Sequence, residues 1–223
     1  MRPITSSPQA AHRAFSLIEL IVVISIMIVI MALVVPSMGP LMRSSNMNKA
    51  TAMITDELNY ARQLALTQNR DVEVRFYKLP SKSNSSDLQY RAFRSFSTIG
   101  TGTSKSPLSP VKYLPEPVII STGTDNSGNT LSTLLDASNA SRSGLTLNTV
   151  GETLSSGANA PYISFAFRGT GGTSLSPVDP PIGNWYLTIY LENAPKAPAT
   201  GIPANYFTAQ VDAVTGRMRS YRP

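Results

Sequence analysis

The chain has 223 residues, of which 14% are charged, and carries a formal charge of +6. It has no cysteine and a single histidine, His12. This excludes disulfides, thiol nucleophiles and thiolate metal sites, and leaves nothing after residue 12 from which to build Ser-His-Asp or Cys-His catalysis. The basic excess is too small to argue for nucleic acid, which is not an expected partner; a solvated basic surface accounts for it.

Residues 1–14 hold two charged side chains, Arg2 and Arg13. An apolar run follows from Phe15 to Val35, broken by one ionisable group, Glu19, and closed by Pro36. As a helix rising 1.5 Å per residue, this run spans roughly the 30 Å of a bilayer's hydrocarbon core. Basic residues before it predict a cytoplasmic N-terminus and an exported remainder, on the positive-inside tendency. A cleaved secretory signal has a shorter apolar core with its cut after that core, so the length of the run and its acid favour a retained anchor. A carboxylate at the centre of a membrane helix costs about 2.5–3.5 kcal/mol. Nearer the interface Glu19 costs less, but it still calls for a partner, the bland alternative being a side chain that snorkels to the headgroups.

Pro36, Gly39 and Pro40 are together predicted to kink or locally melt the helix. The helical pattern then resumes: Met47, Ala50, Ile54, Leu58, Ala61 and Ala65 recur at three- and four-residue steps, flanked by Met53 and Leu64. Asp56, Glu57, Arg62 and Arg70 fall away from that stripe. One long helix from about Ser16 to Asn69 is expected.

After Arg70 the period changes to two. Val72, Val74 and Phe76 alternate with Asp71, Glu73, Arg75 and Tyr77, predicting a half-buried strand. Further strands are expected over Gln89–Phe96, Pro117–Ser121, Ile163–Phe167, Trp185–Leu191, Tyr206–Val214 and Arg217–Tyr221, the last two forming a hairpin around Thr215-Gly216. Residues 121–160 are rich in Ser, Thr, Gly and Asn and predict long loops with at most minor strands. The loop Asp125-Asn126-Ser127-Gly128-Asn129 has alternating oxygen donors but no later bidentate acid, so a turn is a better reading than a calcium site. Arg217, Arg219 and Arg222, with Tyr221, read as a solvated face. The fold class is α+β, a long helix followed by antiparallel strands.

The string Arg13-Ala14-Phe15-Ser16-Leu17-Ile18-Glu19-Leu20 resembles the processing signal of type IV prepilins and type II secretion pseudopilins. Pro36, the 22nd residue counting from Phe15, matches a proline common in that class. Leu58 to Ala65, Asn69-Arg70 with Val72 to Phe76, and Val211-Asp212 with Thr215 to Arg219 are similar to the helix end, first strand and last hairpin of minor H-class pseudopilins. Tyr221-Arg222-Pro223 adds a similarity to the prepilin-like group called Verru_Chthon cassette protein D.

The resemblance implies a pilin-like fold, with a prepilin leader (1–14), a transmembrane assembly helix (15–36), its amphipathic continuation (37–70) and a periplasmic β-rich domain (71–223). It implies cleavage between Ala14 and Phe15, where Ala14 stands in place of the usual Gly, and N-methylation of Phe15. It also implies pairing of Glu19 with the freed amine of a neighbouring subunit. The partners implied are other pseudopilins, a prepilin peptidase, an inner-membrane assembly platform and lipid, with no cofactor, no metal and no catalysis. A minor type IV pilin for adhesion, motility or DNA uptake is the first alternative; a signal-anchored periplasmic binding domain is the second.

Overall fold

In the computed structural model the described residues are 15–81, 86–98, 105–123, 128, 130–139, 144–155, 157, 159–178, 184–195 and 203–222; for 33–38 only the backbone is described. The leader with Ala14 and the oxygen-rich loop at 125–129, apart from Gly128, lie outside them. Internal contacts divide the chain into two units, Met1–Met42 and Arg43–Pro223.

Helix α1 runs from Leu17 to Gln68, within a residue of the expected span at each end. It passes through Pro36, Gly39 and Pro40 without a break, so none of the three melts a turn; a proline removes one hydrogen bond, and the neighbouring turns carry the helix past it. Its end is set locally. Asn69 is left-handed at φ 46°, and the Arg70 amide donates back to the Ala65 carbonyl at 3.2 Å. Together these cap the last turn as a Schellman-type stop.

Among the described residues of the second unit, ten strands form one antiparallel sheet: β1 (Val72–Pro80), β2 (Leu88–Thr98), β3 (Lys105–Pro107), β4 (Lys112–Tyr113), β5 (Val118–Ile120), β6 (Thr146–Thr153), β7 (Asn159–Phe167), β8 (Trp185–Leu191), β9 (Tyr206–Val211) and β10 (Met218–Tyr221). The spatial order is β10-β9-β8-β5-β2-β1-β7-β6, with β3 and β4 also pairing with β2. The class is therefore α+β, a helix packed on an antiparallel sheet.

The stripe Met47, Ala50, Ile54, Leu58, Ala61 and Ala65 is buried almost completely. It faces Val72, Val74, Phe76, Phe93, Ile163, Phe165, Phe167, Trp185, Leu187 and Ile189 in a single core. Small alanines on the helix bring its backbone close to the sheet, and the large aromatics opposite fill the remaining space, as interior packing density requires. Phe165 meets Phe167 edge-on at 5.2 Å and lies 6.5 Å from Phe76.

Three expectations are corrected. Glu57 does not face solvent: it is 1% exposed, because α1 rests on the sheet over a wider arc than the apolar stripe alone. The second face of β1 is covered rather than half-open, since Tyr77, Ala92, Leu154, Ala160 and Tyr162 form a smaller core there. Part of its cover comes from β6, an eight-residue strand in the region expected to hold only minor ones. Hydrophilic Thr, Asn and Glu dominate β6, and pairing with β7 rather than apolar alternation holds it extended.

Candidate functional site

Three features could carry function, and the first is the N-terminal part of α1. Phe15 is 79% exposed, and the large apolar side chains from Leu17 to Met31 all lie open around the whole helix circumference. A helix apolar on every side is stable in water only when something covers it. Among the described residues, Glu19 in its first turn has no hydrogen-bond or ion-pair partner, and Ser25 bonds only its own backbone, donating to Ile21 O at 2.8 Å. Among the described residues no helix is long and apolar enough to cross a membrane; the side chains of residues 33–38, which continue the run, are not described. Phe15, two residues before α1, and Glu19 in its first turn thus lie at the start of one exposed apolar stretch, while Ala14 lies outside the described residues. Pro36, Gly39 and Pro40 are further along the same helix.

The second feature is a buried carboxylate clamp. Glu57 Oε1 accepts hydrogen bonds from Ser95 Oγ at 2.5 Å and Ser109 Oγ at 3.0 Å. Its Oε2 is 2.6 Å from Lys112 Nζ. One helix side chain therefore fastens β2, the β3–β4 connection and β4 to α1. No periodicity could reveal this, because in the helix pattern Glu57 reads as an ordinary polar residue.

The third is a charged and aromatic layer on the second face of the sheet. The Arg75 guanidinium donates to Glu73 Oε1 at 3.1 Å and Glu152 Oε2 at 2.7 Å, with the Phe96 ring centre 3.9 Å and the Tyr162 ring centre 4.6 Å away. Tyr77 OH donates to Glu152 Oε2 at 2.7 Å, and Lys105 pairs with Glu73. Burial pushes the Glu73 carboxyl up, but hydrogen bonds from Arg75, Lys105 and Ser164 outweigh it and hold it below its usual range. Burial, then the bond to Glu152, raises the Tyr77 phenol. Burial favours neutral Arg75, yet Glu73 and Glu152 outweigh it and keep the guanidinium charged.

In this layer each carboxylate is already matched by a cation. It can hold β6 to the sheet, but its acids are not left free to move a proton. Among the described residues no group of acids or histidines is placed to hold a metal ion.

A β-bulge buries one further charge. The β1–β2 register slips between Tyr77↔Ala92 and Lys78↔Tyr90, leaving Arg91 as the extra residue. Its Nη2 meets Glu192 Oε1 at 2.5 Å, and its Nε and Nη1 are buried without a protein partner among the described residues. Bulges re-aim side chains in this way. The arginines of the last hairpin keep their expected solvated setting: Arg217 and Arg219 are exposed, and Arg222 donates to Asn48 Oδ1 at 2.8 Å.

Neither a known protein family nor a characterised protein matches the chain by sequence. Among solved structures it is similar to the type IV minor pilin FimU of Pseudomonas aeruginosa in two crystal forms. One gives 12% identity and a TM-score of 0.38 over 81% of this chain and 96% of that one. The other gives 12% and 0.39 over 82% and 94%.

Proposed function

We propose that the chain is a filament subunit of the prepilin-processed class, with a structural rather than catalytic role. The observation that carries this reading is the open apolar stretch of α1 from Leu17 to Met31, whose single charge, Glu19, has no partner among the described residues and lies four residues after Phe15. Lipid would cover such a surface before assembly and neighbouring helices would cover it afterwards. Pairing Glu19 with the freed amine of Phe15 on an adjacent subunit would offset the desolvation that either charge suffers alone. On this reading the chain crosses the inner membrane once, with the domain after Arg43 on the periplasmic side.

The finer assignment is a minor pseudopilin of type II secretion, supported by the similarities at 58–76 and 211–219. A minor type IV pilin is the alternative. Deleting the gene would separate them: stalled exoproteins with intact surface pili fit the first, and lost pili or transformation with normal secretion fit the second.

The test of the class is the mass of the N-terminal peptide from membrane-extracted protein. A methylated peptide starting at Phe15 is expected. A peptide starting at Met1 in cells with an active prepilin peptidase would overturn the proposal, as would one starting after Ser37.

A further inference from the structure

Three segments distant in sequence meet where α1 stops. A side-chain carbon on Gly169 would lie 2.7 Å from the Asn69 carbonyl carbon, so the segment after β7 touches the helix end. The turn after β9 closes on both: Arg62 Nε donates to Thr215 O at 3.3 Å, and a side-chain carbon on Gly216 would lie 3.0 Å from Gly171 O. This junction gathers Arg62, Arg70, Arg168 and Arg217. The side chains of the last three are exposed and have no hydrogen-bond or ion-pair partner among the described residues.

Most acids of the domain are engaged internally, although Asp56 is exposed without a described partner. Glu57, Glu73, Glu152 and Glu192 are ion-paired. Asp71 and Asp212 at the junction accept hydrogen bonds from backbone amides, Asp71 from Gly169 and Asp212 from Val214 and Thr215. The junction therefore sets four arginines against two carboxylates, a local positive excess. Interleaved with the arginines are exposed apolar side chains, Leu66 and Val214. Between Arg168 and Val214 runs a groove of about 450 Å³ floored by Thr173, Ser174 and Leu175.

We propose that this junction is a docking surface for an extended acidic segment of another protein, with its carboxylates on Arg70, Arg168 and Arg217 and an apolar side chain in the groove beside Val214. Charge complementarity selects an acidic partner. A second copy of this chain fits poorly, since its net charge is +6 and most of its described acids are already engaged. Nucleic acid fits less well than protein, because the residues gathered here include no exposed aromatic on which bases could stack. The inference goes beyond the filament reading and does not depend on it.

The test uses the full chain in neutral detergent micelles and a fluorescent octapeptide of alternating Glu and Val, with single-stranded DNA of equal charge as comparator. The peptide should bind more tightly than the DNA, and more weakly as salt rises. Arg70→Glu, Arg168→Glu and Arg217→Glu together should weaken peptide binding by at least about tenfold, whereas Arg43→Glu with Lys49→Glu should change it by less than about twofold. Arg168→Gln alone, which removes a side chain with no described partner, should weaken it in the same direction. Absence of peptide binding, tighter binding of the DNA, or equal affinity in the triple variant and the wild type would overturn the proposal.

Discussion

Glu57 on the helix and Lys112 on β4 meet at 2.6 Å, with the carboxylate 1% exposed. This pair, together with Ser95 and Ser109, is where the helix holds the strand region least protected by apolar packing. The short β3 and β4 contribute little to the core, so the buried charge substitutes for it locally.

Glu57→Ala should therefore destabilise the domain by about 1–3 kcal/mol, the cost of leaving buried hydroxyls and Lys112 without their acceptor. Lys112→Ala should cost less than a fully buried partner would, because Lys112 is partly exposed and solvent can screen the carboxylate it leaves. Urea unfolding of both variants checks the order, and hydrogen exchange should show loosening at residues 105–113 first.

Stability should also depend on acid through Glu73. Its folded pKa is held below the ordinary 4.5 by Arg75, Lys105 and Ser164. The contribution is thus present above about pH 4.5 and is lost as pH falls through the lower, folded value. Thermal melts from pH 6 to 3 should show this loss in the wild type and a shallower one in Glu73→Gln. An equal slope in both would rule out Glu73 as its source.

Gly169→Ala should destabilise although the residue is only half-buried and its φ is not in the left-handed region. The added carbon would meet the Asn69 carbonyl carbon at 2.7 Å and the Arg70 amide nitrogen at 2.8 Å, and backbone cannot swing aside as a side chain can. A loss of about 1–3 kcal/mol is expected from such overpacking. In a chain of this size that corresponds to a drop of several degrees in Tm.

Ala61→Leu should be destabilising by about 1–3 kcal/mol for the same kind of reason, since Ala61 is fully buried between α1 and the sheet. Trp185→Ala in the same core should cost more, about 3–5 kcal/mol, through the cavity it leaves. It also deprives the Ser176 carbonyl of the indole donor, now at 2.7 Å. Equilibrium unfolding that ranked Ala61→Leu as the more damaging would contradict this account of the packing.

On the proposed filament-subunit reading, Glu19→Ala should leave the chain in the membrane fraction and its domain folded, because Glu19 has no described partner in the monomer. If the proposed pairing holds, filament incorporation measured by shearing or cross-linking should fall sharply, and Glu19→Asp should restore part of it. Undiminished incorporation of Glu19→Ala would count against the pairing.

Much of this was legible from residue order. The 3.6-residue rhythm from Met47 to Ala65 marks the buried face of α1, and the alternation in Val72–Phe76 and Trp185–Leu191 marks two central strands, because periodicity records which face leaves water. The exposed apolar run and its single acid were equally plain. Glu57 and β6 were not. A polar residue beside an apolar stripe looks the same whether it meets solvent or three hydroxyl and amine donors, and a Thr-rich segment becomes a strand only when a neighbour supplies its hydrogen bonds.

Residue order alone sets the local facts: the span and stop of the helix, the inward sides of the strong strands, and the absence after residue 12 of the side chains that His- and Cys-based catalysis needs. Which charges are internal and which remain outside depends on how the strands come together in space. Arg75 and Glu152 are 77 positions apart, and Arg62 lies 153 positions from the Thr215 carbonyl it contacts. Charge pairing is a property of distance in space, and the strand order that sets those distances leaves no periodic trace in the chain.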